Sequence, residues 1–512
     1  MALKQINPNS DKDFIDAIDI NNENNFPQFL KSITLSPFRH IDDLTINFPH
    51  PISIISGTNR SGKSTILMAL ACSHFEFKKR NVHNGKFERQ TWSSLMQFTD
   101  HDKQTRDWTY FITYKWGKKI ETKRGQRKAK TKKWNGIGKK ESQFFNRQVF
   151  FIDLDRILPA RNFARTIFHR AKKSTSREIS PINATRIENY LSYVLEEKFT
   201  LNRLADHLDK DIFKYNTANE YSSYNAATGE EVLIKIIIDS VEAPQHSLIL
   251  IDEIEVGLHP KIQRRLISAL YNISRNERKQ FIITSHSPSI LSSVPDNARI
   301  FIEKMPTGAF KAIPNISVNA CLSKMDSISY PLVDLYCEDS EAEKIIQKAI
   351  SSIQIDMKVS NFSDLINVIV SGAGDITYSF FKAHQKTYPS KRIKTGYACV
   401  LDGDRKKVKT NGSISYPPEE CLHFIYSDES PEKFLTRSFL AKHPNSTVEY
   451  HLNHSNGHSL FGKLIENSFC TSKEEAFEIC WKEFISTTPG NKYFEELKAF
   501  IVGMAKKYSP DL

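Results

Sequence analysis

Nowhere in the 512-residue chain do apolar residues run on for the roughly 18 positions that a membrane-spanning helix needs. The opening MALKQINPNSDKDF is also too polar for a secretory signal, so a membrane role is not expected and the cytoplasm is the expected compartment. Cysteine is scarce. The seven residues (Cys72, Cys321, Cys337, Cys399, Cys421, Cys470, Cys480) are odd in number and scattered, with no C-x-x-C pair or Cys/His cluster at zinc spacing. That excludes a disulfide scaffold and a zinc module, and predicts reduced, mostly buried thiols. Internal repeats are lacking too, which argues against a solenoid.

What is present is ordinary soluble material, 39% hydrophobic and 25% charged, long enough for about three domains. The net charge of +12 is not spread evenly. Between Lys115 and Lys140 stand twelve Lys/Arg residues against one acid, Glu121, a local net of +11 with Trp116 and Trp134 interleaved. Such a block reads as a nucleic-acid arm, a protein-docking arm, or a solvated hairpin whose charge keeps it soluble.

Five segments follow from the pattern. Residues 1–26 are a polar, poorly ordered lead-in or a small appendage, and residues 27–308 form the main domain. Within the latter, LKSITLSPFRHIDDLTINF alternates like an antiparallel hairpin, residues 108–153 form a β-rich extension around the basic insertion (115–140), and residues 176–215 form a helical lobe. Residues 309–329 read as a linker. Residues 330–436 alternate three apolar strands (VDLYC, NVIVS, YACVL) with two helical patterns, a β-α-β-α-β unit with a parallel sheet. Residues 437–512 are a helical C-terminal region. The expected fold class is α/β throughout.

The strand PISIIS runs directly into Gly57-Thr58-Asn59-Arg60-Ser61-Gly62-Lys63-Ser64, which fits G-x-x-x-x-G-K-[ST]. Its glycines let backbone N–H groups wrap phosphates, Lys63 reaches the β and γ phosphates, Ser64 ligates Mg²⁺, and Thr65 adds a phosphate contact. The buried strand LILI then ends in Asp252-Glu253, the first to complete the Mg²⁺ shell and the second to polarise water. His286 follows another apolar strand in QFIITSHSP, placed to bond a γ-phosphate or simply to end the strand. In NAATGEE, Thr228 and Gly229 offer donors at a helix start; Thr228 with Glu231 equally reads as a capping box.

These motifs, with EIEVGLHP after the acidic pair, occur in the order seen in the SMC/RecF-like branch of the ABC ATPases, which residues 28 to about 305 resemble. The resemblance implies an ATP-hydrolysing head that forms homodimers or higher homo-oligomers, with ATP held between the P-loop of one copy and the Thr228-Gly229 signature of another. It also marks Glu255, Leu258, His259 and Pro260 as D-loop positions and offers Gln97 as a Q-loop residue.

The smaller unit carries Glu338 at the end of its first strand and Asp402-Gly403-Asp404 at the end of its third. Acids on adjacent parallel strands converge at the sheet's C-terminal edge, where Mg²⁺ or Mn²⁺ finds oxygen ligands. YCEDSEAEKII, VSGAGD and VLDGDRK resemble the Toprim domain, and an ABC head followed by Toprim is the arrangement of the OLD-family ATP-dependent nucleases of phage defence. That implies metal binding by Glu338, Asp402 and Asp404, a nucleic-acid substrate, and Glu432 as a late ligand. Asp339 stands where that family has Gly, and Glu341 is the acid nearest its second metal position, three residues from Glu338. The alternative implied by defence ATPases of the Septu and retron types is a sensor or scaffold that controls a separate effector.

Overall fold

Every residue of Ile52–Gly57, Leu248–Ile251 and Gln280–Thr284 is buried, which strands achieve in a parallel sheet covered on both faces. The computed structural model describes residues 6–508 apart from 82–85, 100, 103–105, 132–133, 136–146, 179–182, 205–211, 306, 327–329, 358–361, 392–393, 407–415 and 418. It divides into two units, Met1–Met325 and Asp326–Leu512.

In the first unit an eight-stranded sheet runs Phe310–Pro314, Arg299–Lys304, Ile52–Gly57, Gln280–Thr284, Leu248–Ile251, Val149–Ile152, Phe77–Arg80, Phe87–Arg89. Its interior pairings are parallel, and only the two edge strands are antiparallel. The Gln280–Thr284 strand lies between the P-loop strand and the Leu248–Ile251 strand, so their C-terminal ends sit side by side. The expected hairpin is present: Gln28–Leu35 pairs with Leu44–Asn47 antiparallel, and on its other edge with Trp108–Trp116, which leads into Lys119–Arg127. One buried cluster joins this second sheet (Leu30, Ile33, Leu35), the helix Lys63–Cys72 (Ile66, Leu70) and the large sheet (Ile55, Leu250, Ile282).

Three expectations are corrected. Within residues 1–26, Pro8–Asp16 is a helix, started by Asn7 accepting from the Ser10 amide at 3.2 Å and by Pro8 in its first turn. It is held by polar contacts that hydropathy does not reveal: the buried Asp11 carboxylate accepts from Asn272 Nδ2 at 2.8 Å and pairs with Arg275 at 2.9 Å. Among its described residues the helical lobe holds one helix, Ala184–Leu195, ending at Glu196 in the left-handed region (φ 61°). Thr200–Arg203 and Phe213–Asn216 then pair antiparallel, because Leu201, Phe213 and Tyr215 alternate inward. Finally, the supposed linker gives the strand Phe310–Pro314 and the helix Val318–Met325, anchored by buried Phe310, Ile313, Ile316 and Cys321.

The basic insertion is described as far as Thr131, with Trp134–Asn135 as a short fifth strand of its sheet; Lys132, Lys133, Lys139 and Lys140 lie outside the described residues. Two of its cations are structural rather than solvated. Lys115 is buried and donates to the Ile20 carbonyl at 2.6 Å, and Arg127 is buried over the rings of Phe98 and Trp108. Lys118, Lys119, Arg124, Lys128 and Lys130 are exposed.

The second unit contains an all-parallel sheet in the order Ile366–Val370, Val333–Cys337, Gly396–Leu401, Leu422–Phe424. The three expected strands and the helices Ser340–Met357 and Gly374–Thr387 are there; the short fourth strand was not foreseen. The expected boundary at 436/437 falls inside the helix Pro431–Leu440, the first of five α-helices among the described residues of the C-terminal region. All seven cysteines are buried. Among the described residues no helix is long and apolar enough to cross a membrane.

Candidate nucleotide and metal sites

The P-loop turns where only glycine fits. Gly57 has φ +152°, and a Cβ there would lie 2.4 Å from the Ile302 carbonyl oxygen; Gly62 has φ +90° and caps the helix Lys63–Cys72. Lys63 Nζ donates to the carbonyls of Gly57 at 3.0 Å and Thr58 at 2.9 Å, folded back over the loop that would receive phosphate. Asn59 is exposed at its tip, Ser64 half-buried and Thr65 buried. Burial pushes the Lys63 ammonium down, partly offset by Glu253, Asp252 and Glu255, so all three acids lie within electrostatic reach.

Thr284, at the end of the neighbouring strand, braces the acidic pair. Its hydroxyl donates to Asp252 Oδ1 at 2.6 Å and accepts the Glu253 amide at 2.7 Å. Glu253 sits in the left-handed region (φ 46°), and its carbonyl accepts from Arg156 at 2.6 Å. Neither Thr284 nor Arg156 was singled out in the sequence; Arg156 follows RQVFFIDLD, a recognisable strand whose neighbour is not. Glu255 accepts the His286 amide at 2.5 Å, and burial pushes its carboxyl up.

His286 is half-buried, and burial followed by the Lys63 charge drops its imidazole from an ordinary 6.5 to about 4. Between those values an unfolded chain takes up a proton that the folded site refuses, so stability is lost as pH falls from 6.5 toward 4. His286→Gln is expected to lessen this loss, seen as a smaller drop in urea midpoint between about pH 7 and about pH 5 in nucleotide-free protein. Equal drops in both proteins would refute it.

Thr228 and Gly229 open the helix Thr228–Glu242, with Ala227 as its N-cap. The Thr228/Glu231 capping box does not form, because Thr228 already lies inside the helix. Instead Glu230 reaches back to the Ala227 amide at 2.9 Å, while Glu231 accepts from the Ala160 amide at 3.1 Å. The Thr228 hydroxyl accepts from Arg161 at 2.9 Å. A Cβ on Gly229 would lie 2.3 Å from the Gly257 carbonyl, so the signature-like and D-loop-like segments touch within one chain. His259 caps the helix Pro260–Glu277, and Gln97 is exposed, with the Ser94 carbonyl as its side-chain contact.

In the second unit Glu338 and Asp402 meet at the sheet's C-terminal edge, both buried, with Glu338 Oε1 accepting the Asp402 amide at 2.8 Å. Gly403 permits the tight exit, since a Cβ there would lie 2.1 Å from the Ser427 carbonyl. Asp402 Oδ1 is buried without a hydrogen-bond partner. Burial, then Glu338, Asp339, Asp404 and Glu432, push its carboxyl up to about 9. Asp404 is exposed. Arg405 approaches both Glu338 (3.4 Å) and Asp404 (3.7 Å). Burial raises the Glu341 carboxyl, Lys344 at 2.9 Å opposes that, and Glu432 and Asp339, which also act on Asp402, are the like charges acting on it.

Residues 140–292 match a family model described as AAA domain, putative AbiEii toxin, Type IV TA system, and residues 29–115 match one described as AAA domain. The retron Vc95 probable ATPase of Vibrio cholerae serotype O1 biovar El Tor is 36% identical over 100 residues, 17% of this chain and 19% of that protein. The chain thus spans about one fifth of the length of this curated relative. Among solved structures, the SMC head domain from Thermotoga maritima covers 56% of this chain and 98% of its own, at 14% identity and a TM-score of 0.35. The Smc head domain with an extended coiled coil, bound to the C-terminal domain of ScpA from Pyrococcus furiosus, covers 56% and 96% at 11% identity and a TM-score of 0.36.

Proposed function

We propose, from the premise that the first unit carries an AAA-type P-loop ATPase domain, that ATP binding and hydrolysis there regulate a metal-dependent nuclease in the second unit, acting in defence against phage. ATP-driven pairing of two copies through Thr228 and Gly229 is the regulatory step. The observation that carries the nuclease reading is the buried, unpartnered Asp402 Oδ1 beside Glu338. A buried carboxylate with like charges around it is costly unless a cation compensates it, so these residues fit a divalent ion. Glu338, Asp402 and Asp404 would hold Mg²⁺ or Mn²⁺, which supplies an activated water and charge neutralisation at a phosphodiester. The chain's own residues do the rest: Asp404, exposed, faces substrate, and Arg405 neutralises acid charge next to it. The exposed Lys118, Lys119 and Arg124, on the hairpin of Trp108–Trp116 and Lys119–Arg127, give the head a surface for the nucleic-acid backbone.

Purified wild-type protein is expected to nick or cleave DNA or RNA in Mg²⁺ or Mn²⁺, and Asp402→Ala to lose this while keeping ATP hydrolysis. Absence of cleavage by wild type, or cleavage unchanged in Asp402→Ala, defeats the nuclease. One observation favours a second reading: the Arg405 guanidinium stands 3.4 Å from Glu338, already supplying a positive charge there. On that reading the acids are structural, and the ATPase senses infection and controls a separate effector such as an HNH nuclease or retron components. The relative in Vibrio cholerae, called a retron ATPase, supports the defence context of both readings.

A further inference from the structure

The second sheet of the first unit has two unlike faces. Along its strands one set of side chains is buried (Ile33, Leu35, Ile46, Ile112), so the alternate set forms the other face. Cross-strand register lays that set out in rows. One runs Thr45, Thr34, Phe111, Arg124, and the next runs Ser32, Thr113, Thr122. Thr34 bonds Thr45 and Thr113 bonds Thr122, each at 2.9 Å between hydroxyls that are open to solvent.

Three features set this face apart from a sheet that is merely wetted. Phe111 stands in a row of threonines, half-buried, with the Arg124 guanidinium over its ring at 5.8 Å. Threonine there would complete the pattern, whereas a ring adds apolar surface that water disfavours. Ile120, four residues before Arg124 and therefore on the same face, is 70% exposed. The flank is basic as well. Lys118, Lys119, Lys128 and Lys130 are exposed at the two ends of the strand Lys119–Arg127, and Glu121 is the one acid in the sequence from Trp108 to Thr131. Glu121 pairs with Tyr114, which belongs to the opposite face.

We propose that this face binds a single-stranded nucleic acid, with a base stacked on Phe111 and phosphates along the basic flank. Bases inside a duplex cover one another's faces, so only an unpaired strand can offer one to the ring. Stacking on an aromatic side chain accepts any base, and the threonine and serine hydroxyls around Phe111 can donate to or accept from base edges. Arg124, beside the ring, reaches a base or a phosphate, and Ile120 adds a second apolar contact further along. The cations at the two ends of Lys119–Arg127, about 30 Å apart along an extended chain, set the path of the phosphates. The inference rests on the reading of the Lys118, Lys119 and Arg124 hairpin as a nucleic-acid contact and names the class of strand it takes. It does not require the second unit to cleave.

The test uses the full chain without nucleotide or divalent cation, and follows the anisotropy of labelled oligothymidylate, oligouridylate and a DNA duplex, each of about 20 nucleotides or base pairs, across a salt series. Single strands are expected to bind more tightly than the duplex, the better of the two marking DNA or RNA as the ligand. Phe111→Thr, which keeps a β-forming residue there, should weaken single-strand binding about 5–150-fold, the worth of one stacked base, with the salt slope as in wild type. Phe111→Tyr, which keeps the ring, should bind as wild type does. Lys118→Ala combined with Lys119→Ala should instead flatten the slope. Single-strand binding unchanged in Phe111→Thr, or equally weak in Phe111→Tyr, overturns the stacking platform. A duplex bound as tightly as the single strands overturns it and leaves the hairpin a plain phosphate contact, and binding of neither overturns both. Single-strand binding that depends on the ring, without cleavage in Mg²⁺ or Mn²⁺, defeats only the nuclease.

Discussion

Lys63→Ala is expected to lower ATP turnover by about 10²–10³-fold, the loss that follows removal of one charged group from a site where negative charge must be held. Its magnitude has a local cause. Glu253, Asp252 and Glu255 act on Lys63 and on Arg156, and without Lys63 one positive charge fewer offsets these three acids beside the incoming triphosphate. Nucleotide affinity should therefore fall together with turnover. A phosphate-release assay alongside binding of a fluorescent ATP analogue reads both, and hydrolysis at the wild-type rate would defeat the P-loop assignment.

Glu253→Gln is expected to separate the two quantities. The backbone of residue 253 is held by the Thr284 hydroxyl at 2.7 Å and by Arg156 at 2.6 Å, neither of which involves its carboxylate. An amide of the same shape should stand in the same place, unable to accept a proton from water. Turnover should drop by about 10²–10⁴-fold while ATP is still bound. If pairing of two copies is the ATP-driven step, the stalled variant should run as a larger species in ATP on light scattering, and wild type only transiently. Turnover unchanged in Glu253→Gln would remove it from the catalytic role.

Much of the first site was legible because its parts are contiguous. A buried strand, a glycine turn and a helix start occur within Ile52–Cys72, and the phosphate cradle is made by that backbone itself. The same holds for Asp252-Glu253, which ends a strand whose every residue is apolar and buried. The signature was harder to read. Thr228 can be a cap or a ligand by spacing alone, and the choice depended on where the helix began, which Glu230 and Tyr221 decide by contacts around Ala227. The lead-in and the supposed linker were misread for one reason. Asp11 reaches Asn272, and Phe310 packs on His40, so polar or short segments gain their order from partners hundreds of residues away.

By itself the sequence determined that there is a P-loop domain followed by a smaller parallel α/β unit, since both depend on local periodicity and on residues adjacent in the chain. Only the tertiary structure decided which groups share a site. It set Thr284 against Asp252, Arg156 against the Glu253 carbonyl, and Gly229 against Gly257. It also brought His458 to Glu432 across 26 positions. The physical reason is that backbone preference and hydrophobic pattern act over a few residues, whereas hydrogen bonds and charge act through space, between whichever strand ends and turns the packing of the sheet brings together.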